Sequence, residues 1–587
     1  MNRRAALLLM TLFLYSSLFS VPFTMVDAQA PSCEFVMALP DDLMGLNPNF
    51  EFNFLQYTYY TLVYDTLISY DDDLEPIPWL AESWAVSEDS LQINFTIREG
   101  AKWHDGFDVT PADVKFTFEY LQNSPELRWA NVHHISDIAI DGQTVVINLI
   151  QPDFMAFMLL GMLLIVPEHI RSGIAPDDLR WSDPSNLTLH TGSGPFKFKK
   201  RVPGEYVELE RFDEWWGPRN PSVGQLPNID TFRLDVITDP SIRILSMRNG
   251  DVDTERYALS GSLAIAVLDA PELDLITGVA SIWNYELGFN VDAHGLDDVV
   301  LRRAIAHALN RDQLVDFGTL GFGTPTNSVI PYEFYSSYYH PDGAFYEYDV
   351  EKANEILDGA NYTDKDGDGI REYPGLENDT NLAFELRAIS WDEQGVQTGN
   401  GIKMQLKEIG IQIEVVPMDP QVFWPGILTI PREYEMKCES WVFFPMPVQA
   451  RMRMHSENIG DWNSNHNGIS NATLDAALDD LAAATPSTVY ERIRLVQLYA
   501  KENIPYIPLY QQDDIHPIRK EWTNYSRAVG GPFCPLNVRS IIFMYDSSLS
   551  NGTTQVQGFD ILIIGGTSVG ALMAGVTLTY LYMKKRK

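Results

Sequence analysis

The sequence predicts an α/β protein, and three observations carry that reading. Stretches of period-2 alternation, such as Leu91, Ile93, Phe95 and Ile97, take turns along the chain with stretches of helical period, such as Leu301, Ala304, Ile305, Ala308 and Leu309. The composition is 45% hydrophobic and 12% aromatic, enough for large packed cores. Both ends carry apolar runs that stand apart from this alternation.

The elements follow in order. Asn2-Arg3-Arg4 and the apolar Ala5 to Leu14 read as a secretory signal. Its cleavage falls after Ala30, in the small-x-small run Ala28-Gln29-Ala30, or after Ala28, because Pro31 is a poor new start. Arg3-Arg4 lacks the flanking pattern of a twin-arginine signal. The strand at 91–97 turns Asn94 outward. Asp105-Gly106 is a turn pair, and Thr110 then caps a helix with Pro111 at its first position and Asp113 at its third. Val114, Phe118 and Leu121 share one face of that helix. Gly192-Ser193-Gly194-Pro195 allows positive φ and a tight crossing into a strand. Ile402, Leu406 and Ile409 mark a helix stopped by Gly410, and Ile411, Ile413 and Val415 a strand after it. Leu474, Leu478 and Leu481 mark one more helix. No internal repeat is present.

Residues 546–560 are polar and rich in Gly, Ser and Thr, and read as a flexible stalk. Ile561 to Met583 is an uncharged run, about long enough to cross a ~30 Å hydrocarbon core at 1.5 Å per residue. Lys584, Lys585, Arg586 and Lys587 form a cytoplasmic tail by the positive-inside rule. The expected location is the cell membrane, single-pass, with a large extracellular N-terminal domain. Gly566-Thr567-Ser568-Val569-Gly570 matches a hydrolase GxSxG pattern, but a nucleophile elbow needs a strand-turn-helix in a soluble sheet. Small residues in a membrane helix are the simpler reading.

Charge narrows the function. The net charge of −38 argues against nucleic acid and against anionic lipid surfaces, both of which would repel the chain. Three cysteines, Cys33, Cys438 and Cys534, form no CxxC and no zinc spacing. One disulfide is compatible with them, and the sequence does not choose the pair. Cys33, after Ala30-Pro31-Ser32, is a poor lipid-attachment box. Sequons at Asn94, Asn186, Asn361, Asn378, Asn471, Asn524 and Asn551 are compatible with external glycosylation.

Six segments then occur in a known order. They are Tyr60 to Trp84 (YTLVYDTLISYDDDLEPIPWLAESW), Ile97 to Phe118 (IREGAKWHDGFDVTPADVKFTF), Gly192 to Phe198 (GSGPFKF), Glu214-Trp215-Trp216-Gly217, Met247 to Asp253 (MRNGDVD) and Leu301 to Arg311 (LRRAIAHALNR). In these the chain resembles the extracytoplasmic solute-binding proteins of family 5, the oligopeptide- and dipeptide-binding components of ABC transporters, over residues 45–525. The resemblance implies a two-lobed, Venus-flytrap binding protein of the large class with an extra inserted domain. Residues 1–30 would be the signal peptide; 31–65 with 190–282 and 501–545 the first lobe; 66–189 the extra domain; 283–500 the second lobe. Residues 546–560 would be the stalk, 561–583 the transmembrane helix and 584–587 the basic tail. Ligand would be buried as the lobes close. Two permease subunits and two ATPases would be the partners. The tether and the sequons together suggest an archaeal or otherwise single-membrane cell. His104 and its motif neighbours read as scaffold, with His104 a hydrogen-bonded turn histidine.

In peptide-binding members of the family, an aspartate three residues after a tryptophan in the second lobe pairs with the peptide amine. The matching tryptophan is Trp441, and the third residue on is Phe444. An unpaired ammonium in a closed cleft is expensive. Either another acid, such as Glu439, supplies the charge, or the ligand has no free amine. Oligosaccharides are the second ligand class, and Trp391, Trp424, Phe443, Phe444 and Trp462 with Asn463 would suit them; the plainer reading is that at least half of these aromatics are core. No cofactor is expected beyond structural calcium. Asp364, Asp366, Asp368 and Glu372 lie in DKDGDGIRE, which resembles the start of a calcium loop; Gly375 rather than Glu at position 12 rules out a full EF-hand. A calcium-stabilised loop and a solvated acidic turn are equally compatible with it. An exported hydrolase and a surface scaffold are the rival functions. No motif selects a catalytic pair among 80 acids, so the chain is expected not to be an enzyme.

Overall fold

A computed structural model describes residues 33–547, apart from 44–47, 49–53, 73–74, 124–131, 154–155, 176–186, 278–279, 333–337, 376–379, 443–448, 461–463, 486 and 526–538. The expected signal peptide, most of the stalk and the apolar run 561–583 lie outside the described residues.

The alternation at 91–97 builds what it predicts. Ile93, Phe95 and Ile97 are buried, and Asn94 is half-buried on the other face. This strand, Gln92–Ile97, sits in a four-stranded antiparallel sheet in the order Ala81–Val86, Gln92–Ile97, Thr144–Leu149, Ile135–Asp141. The capped helix Pro111–Gln122 packs on that sheet. The Asp113 carboxylate accepts the Thr110 N–H and hydroxyl, both at 2.8 Å, so the cap is built as the sequence implies.

A seven-stranded mixed sheet is assembled from three separated stretches of chain. Its order is Leu273–Ile276, His516–Arg519, Thr254–Glu255, Glu34–Leu39, Thr231–Val236, Tyr206–Arg211, Phe196–Val202. A six-stranded sheet follows the order Gly323–Pro325, Tyr506–Asp513, Ala280–Phe289, Met436–Val442, Ala383–Ile389, Gln412–Met418. Helices Val299–Ala308, Arg311–Thr319 and Glu393–Lys407 bury the apolar stripes that the sequence shows, including Leu301, Ala304, Ile305, Ile402 and Leu406.

Two segments pass between these sheets side by side. Leu273–Ile276 leads into Ala280–Phe289, and Tyr506–Asp513 leads into His516–Arg519. They pair on both sides of the passage, Ile276 with His516 and Ala280 with Asp513. Within it, His516 Nε2 is 2.9 Å from Asp514 Oδ1. Two adjacent strands that cross between sheets and stay paired on both sides are the geometry of a two-strand hinge.

Two expectations need correction. Gly192 and Gly194 do not have positive φ. They are glycine because a Cβ would lie 1.9 Å from the Val63 carbonyl oxygen at Gly192 and 2.6 Å from that of Leu62 at Gly194. The motif is pressed onto the end of helix Phe54–Val63. The single-pass membrane location is also corrected. Among the described residues no helix is long and apolar enough to cross a membrane. The longest, Glu393–Lys407 and Val489–Asn503, have 15 residues, short of the ~20 a bilayer core needs.

Candidate ligand-binding site

Strands Ala383–Ile389, Gln412–Met418 and Met436–Val442 run parallel. Ligands of open α/β sheets bind beyond the carboxyl ends of such strands. Trp391 follows the first end and is 73% exposed, just before Asp392 caps the next helix. Trp424 follows the second, in helix Pro420–Leu428, half-buried against an apolar group of Ile389, Phe423, Ile427 and Tyr434. Trp441 stands at the third end, half-buried. Ala280–Phe289 is antiparallel to Met436–Val442, with Trp283 opposite Val442. The edge carrying the three tryptophans is therefore the edge at which the chain enters from the other sheet. Phe443, Phe444, Trp462 and Asn463 lie outside the described residues.

Beneath Trp441 is a buried charged network that the sequence reading contains only in part. Period-2 geometry puts Lys437, Glu439 and Trp441 on one face of their strand, and Glu286 lies directly opposite Glu439. Lys437 Nζ donates to Glu439 Oε1 and lies 3.4 Å from His466 Nδ1. Arg453 donates to Glu286 Oε1, and its guanidinium lies over the rings of Trp441 and Tyr506, at 4.6 and 4.2 Å. The His466 and Trp441 rings meet edge-on at 5.3 Å. Burial, helped by the Lys437 charge, pushes His466 down to about 4, so its ring is neutral at pH 7. Burial works against the charged form of Glu439 too, but the Lys437 ammonium and His466 hold its carboxyl well below the usual range. Two acids face two bases, and the network neutralises itself.

It is not fully satisfied. Glu286 Oε2, Glu439 Oε2, Arg453 Nη1, Trp441 Nε1, Asn284 Oδ1 and Gln511 Oε1 are buried without a hydrogen-bond partner among the described residues. Buried polar atoms without a partner are few in folded proteins, and these gather around one strand pair, Ala280–Phe289 with Met436–Val442 and its neighbours. Lys437 was legible two positions before Glu439; Glu286, set between Tyr285 and Leu287 in its strand, gave a weak signal; Arg453 and His466 gave none.

The other motif residues converge elsewhere. Asp65 accepts the indole N–H of Trp79 (2.9 Å) and of Trp216 (2.8 Å), and burial pushes its carboxyl up to about 7. His104 joins Gly192 and Gly194. These groups tie elements together, and none of them is on the six-stranded sheet. Cys33 and Cys438 are buried free thiols, and Cys534 lies outside the described residues.

The family model described as bacterial extracellular solute-binding proteins, family 5 (middle part), matches residues 75–460. A Brucella ovis ABC transporter peptide-binding protein is 31% identical over 315 residues, 52% of this chain and 56% of the relative. The chain thus spans just over half the length of that relative. The oligopeptide-binding protein AppA of Bacillus subtilis is 25% identical over 458 residues, 76% of this chain and 80% of AppA. The solved structure of AppA with a nonapeptide superposes with a TM-score of 0.71 at 22% identity, covering 88% of this chain and 99% of that one. A Thermotoga maritima periplasmic oligopeptide-binding protein solved with mannohexaose gives 0.71 at 19% identity, covering 88% of this chain and 99% of that one. The shared fold is the two-lobed, mixed α/β binding-protein fold.

Proposed function

The chain belongs to family 5 of the bacterial extracellular solute-binding proteins, and from that premise we propose that it is the substrate-capturing subunit of an ABC importer, closing two lobes around a peptide. Members of this family bind substrate for ABC transporters and are not enzymes. The observation that carries the proposal is the pair of adjacent crossing strands, Ile276 beside His516 and Ala280 beside Asp513, with tryptophans at the same edge and buried, unpartnered polar atoms among the strands behind it. In this reading the extra domain is 66–189, and the two lobes, expected from the sequence to part at 282/283 and 500/501, part instead at the crossing strands, so that Ala280–Phe289 and Tyr506–Asp513 belong to the second lobe with the six-stranded sheet. The partners are two permease subunits and their ATPases.

Peptide is the first ligand class because AppA and the Brucella relative are peptide-binding proteins. The free amine is a minor part of recognition here. Phe444 stands where the family pattern has an acid, and the charge of Glu439 is shared with Lys437. Backbone pairing and stacking on Trp391 and Trp441 carry the affinity instead. Oligosaccharide is the second reading, favoured by the open face of Trp391 and by the mannohexaose-bound neighbour.

The test is thermal stability and tryptophan fluorescence of the full chain against free peptides, the same peptides N-acetylated, and manno-oligosaccharides. A ligand at 100 times its Kd should stabilise by about 2.7 kcal/mol. Free and acetylated peptides should bind within about tenfold of each other, 1.4 kcal/mol. Stabilisation by sugars alone would replace the peptide reading, and silence in all three sets would remove both.

A further inference from the structure

We propose that residues 364–372 bind a calcium ion that fastens the helix Val350–Gly359 to the strand Ala383–Ile389. The acidic sequence alone is compatible with a plain solvated turn, and the structure adds what separates the two. Asp364, Asp366, Asp368 and Glu372 each bring a carboxylate oxygen within 4.8 Å of the others. That span fits the oxygen shell of a calcium ion, about 5 Å across at metal–oxygen distances of 2.3–2.6 Å.

Glu372 is the decisive residue. The three aspartates are exposed, whereas Glu372 is 0% exposed. Its Oε2 accepts the Lys365 N–H at 2.8 Å, and its Oε1 has no hydrogen-bond partner. A solvated acidic turn has no reason to bury one of its carboxylates, because an ionised group out of water needs a counter-charge. The nearby guanidinium of Arg371 is directed elsewhere, to Asp358, Asn354 and the carbonyls of Tyr362 and Ile409. Four carboxylates therefore converge on a loop with one lysine. A hard cation resolves both the repulsion and the open Oε1.

The backbone already holds the ligands in place. Gly367 and Gly369, both at positive φ, donate their N–H groups to Asp364 at 2.7 and 3.0 Å. Ile370 N–H donates to Asp368 at 2.8 Å, and Asn381 Nδ2 donates to the other Asp368 oxygen at 3.0 Å. Glu372 bridges to Thr363 on one side and to Asn381 on the other. An ion at Glu372 would thus lock the segment after the helix to the segment before the strand.

The experiment uses the full chain, stripped with chelator and titrated with CaCl2 by calorimetry and by thermal melting. We expect one saturable site with Kd at or below ~1 mM, the weak end for extracellular modules, and a Tm rise of a few degrees at saturation. Glu372→Gln should weaken binding at least tenfold. Asp366→Asn changes an exposed side chain, leaves folding intact and should weaken binding in the same direction. It decides the matter if the Glu372 variant does not fold. No saturable binding up to ~10 mM, or equal binding by wild type and Asp366→Asn, would overturn the proposal. Equal binding of magnesium would overturn the assignment to calcium.

Discussion

His104 and Gly194 are joined across 90 residues: His104 Nε2 lies 3.0 Å from the Gly194 carbonyl oxygen. The Gly192 N–H reaches the other ring nitrogen, Nδ1, at 3.2 Å. Because Nδ1 accepts, Nε2 carries the proton and donates, which fixes a neutral ring. Burial agrees, pushing the imidazole down to about 4. The WHDG and GSGP segments, far apart in the chain, are one joint, and the joint is seated on the end of helix Phe54–Val63 through the Gly194 N–H to Val63 carbonyl bond of 2.9 Å.

Gly192→Ala should therefore be among the most damaging small substitutions. Its new methyl group meets backbone, which cannot swing aside, and the cost should exceed about 3 kcal/mol. Gly106→Ala is the control. Gly106 has φ of 93° but open space around the added carbon, so only the conformational penalty of about 1–2 kcal/mol applies. Urea midpoints of the two variants check the ranking. If Gly106→Ala proved the costlier, close approach would not be what the motif needs.

The same joint sets a pH dependence. His104 has a folded-state value near 4 against about 6.5 when unfolded, so the unfolded chain binds more protons between those limits. Its stabilising contribution is complete above pH 6.5 and is lost as the pH falls towards 4, amounting to about 2–3 kcal/mol for a half-buried ring. Asp65 works in the opposite sense: its raised value makes folding less favourable as pH rises from 3.8 towards 7. The two overlap in the wild type, so the measurement is a difference. The stability gap between wild type and His104→Gln, which leaves Asp65 in place, should shrink from pH 7.5 to pH 4.5. A gap that widens on acidification would contradict the neutral ring.

The scaffold was legible and the ligand chemistry was not, for a physical reason. A cap such as Thr110-Pro111-Asp113 or a strand such as 91–97 is decided within a few residues, so its signal is local. The motif glycines were visible, but their cause was not, since it lies in the Val63 carbonyl of another segment. The charged network is assembled from positions 286, 437, 439, 453 and 466, and only the Lys437–Glu439 spacing is local. Sequence also could not separate Trp391, which is open, from Trp424, which leans on an apolar group; they share a sheet edge, and only their burial tells them apart.

Removing one member of the network should cost more than removing a pair. Arg453→Met would leave Glu286 buried without its guanidinium, a loss of about 3–5 kcal/mol. Glu286→Gln with Arg453→Met removes both charges and should recover more than half of that. Since both groups are buried, the coupling should change little between low and high salt. Chemical denaturation of the two singles and the double gives the cycle. Additive losses would mean that the two side chains do not stabilise each other.

Trp391 separates ligand recognition from folding. A tryptophan 73% exposed contributes little to the core, so Trp391→Ala should leave the stability of the ligand-free chain within about 0.5 kcal/mol. It follows a parallel strand's carboxyl end, on the edge where the chain enters from the other sheet, and in the proposed function its ring meets the ligand. Stacking against a peptide or sugar ring is worth about 0.5–1.5 kcal/mol beyond the area buried, so the variant should bind its ligand roughly tenfold more weakly or worse. Trp424→Ala should show the reverse pattern, losing stability because its ring is half-buried against Phe423 and its neighbours, at a ring distance of 5.2 Å. Calorimetric affinity and melting temperature, measured on both variants with whichever ligand class binds, test the contrast. If Trp391→Ala bound as tightly as wild type, recognition would fall to Trp441 and the open polar atoms of the network beneath it.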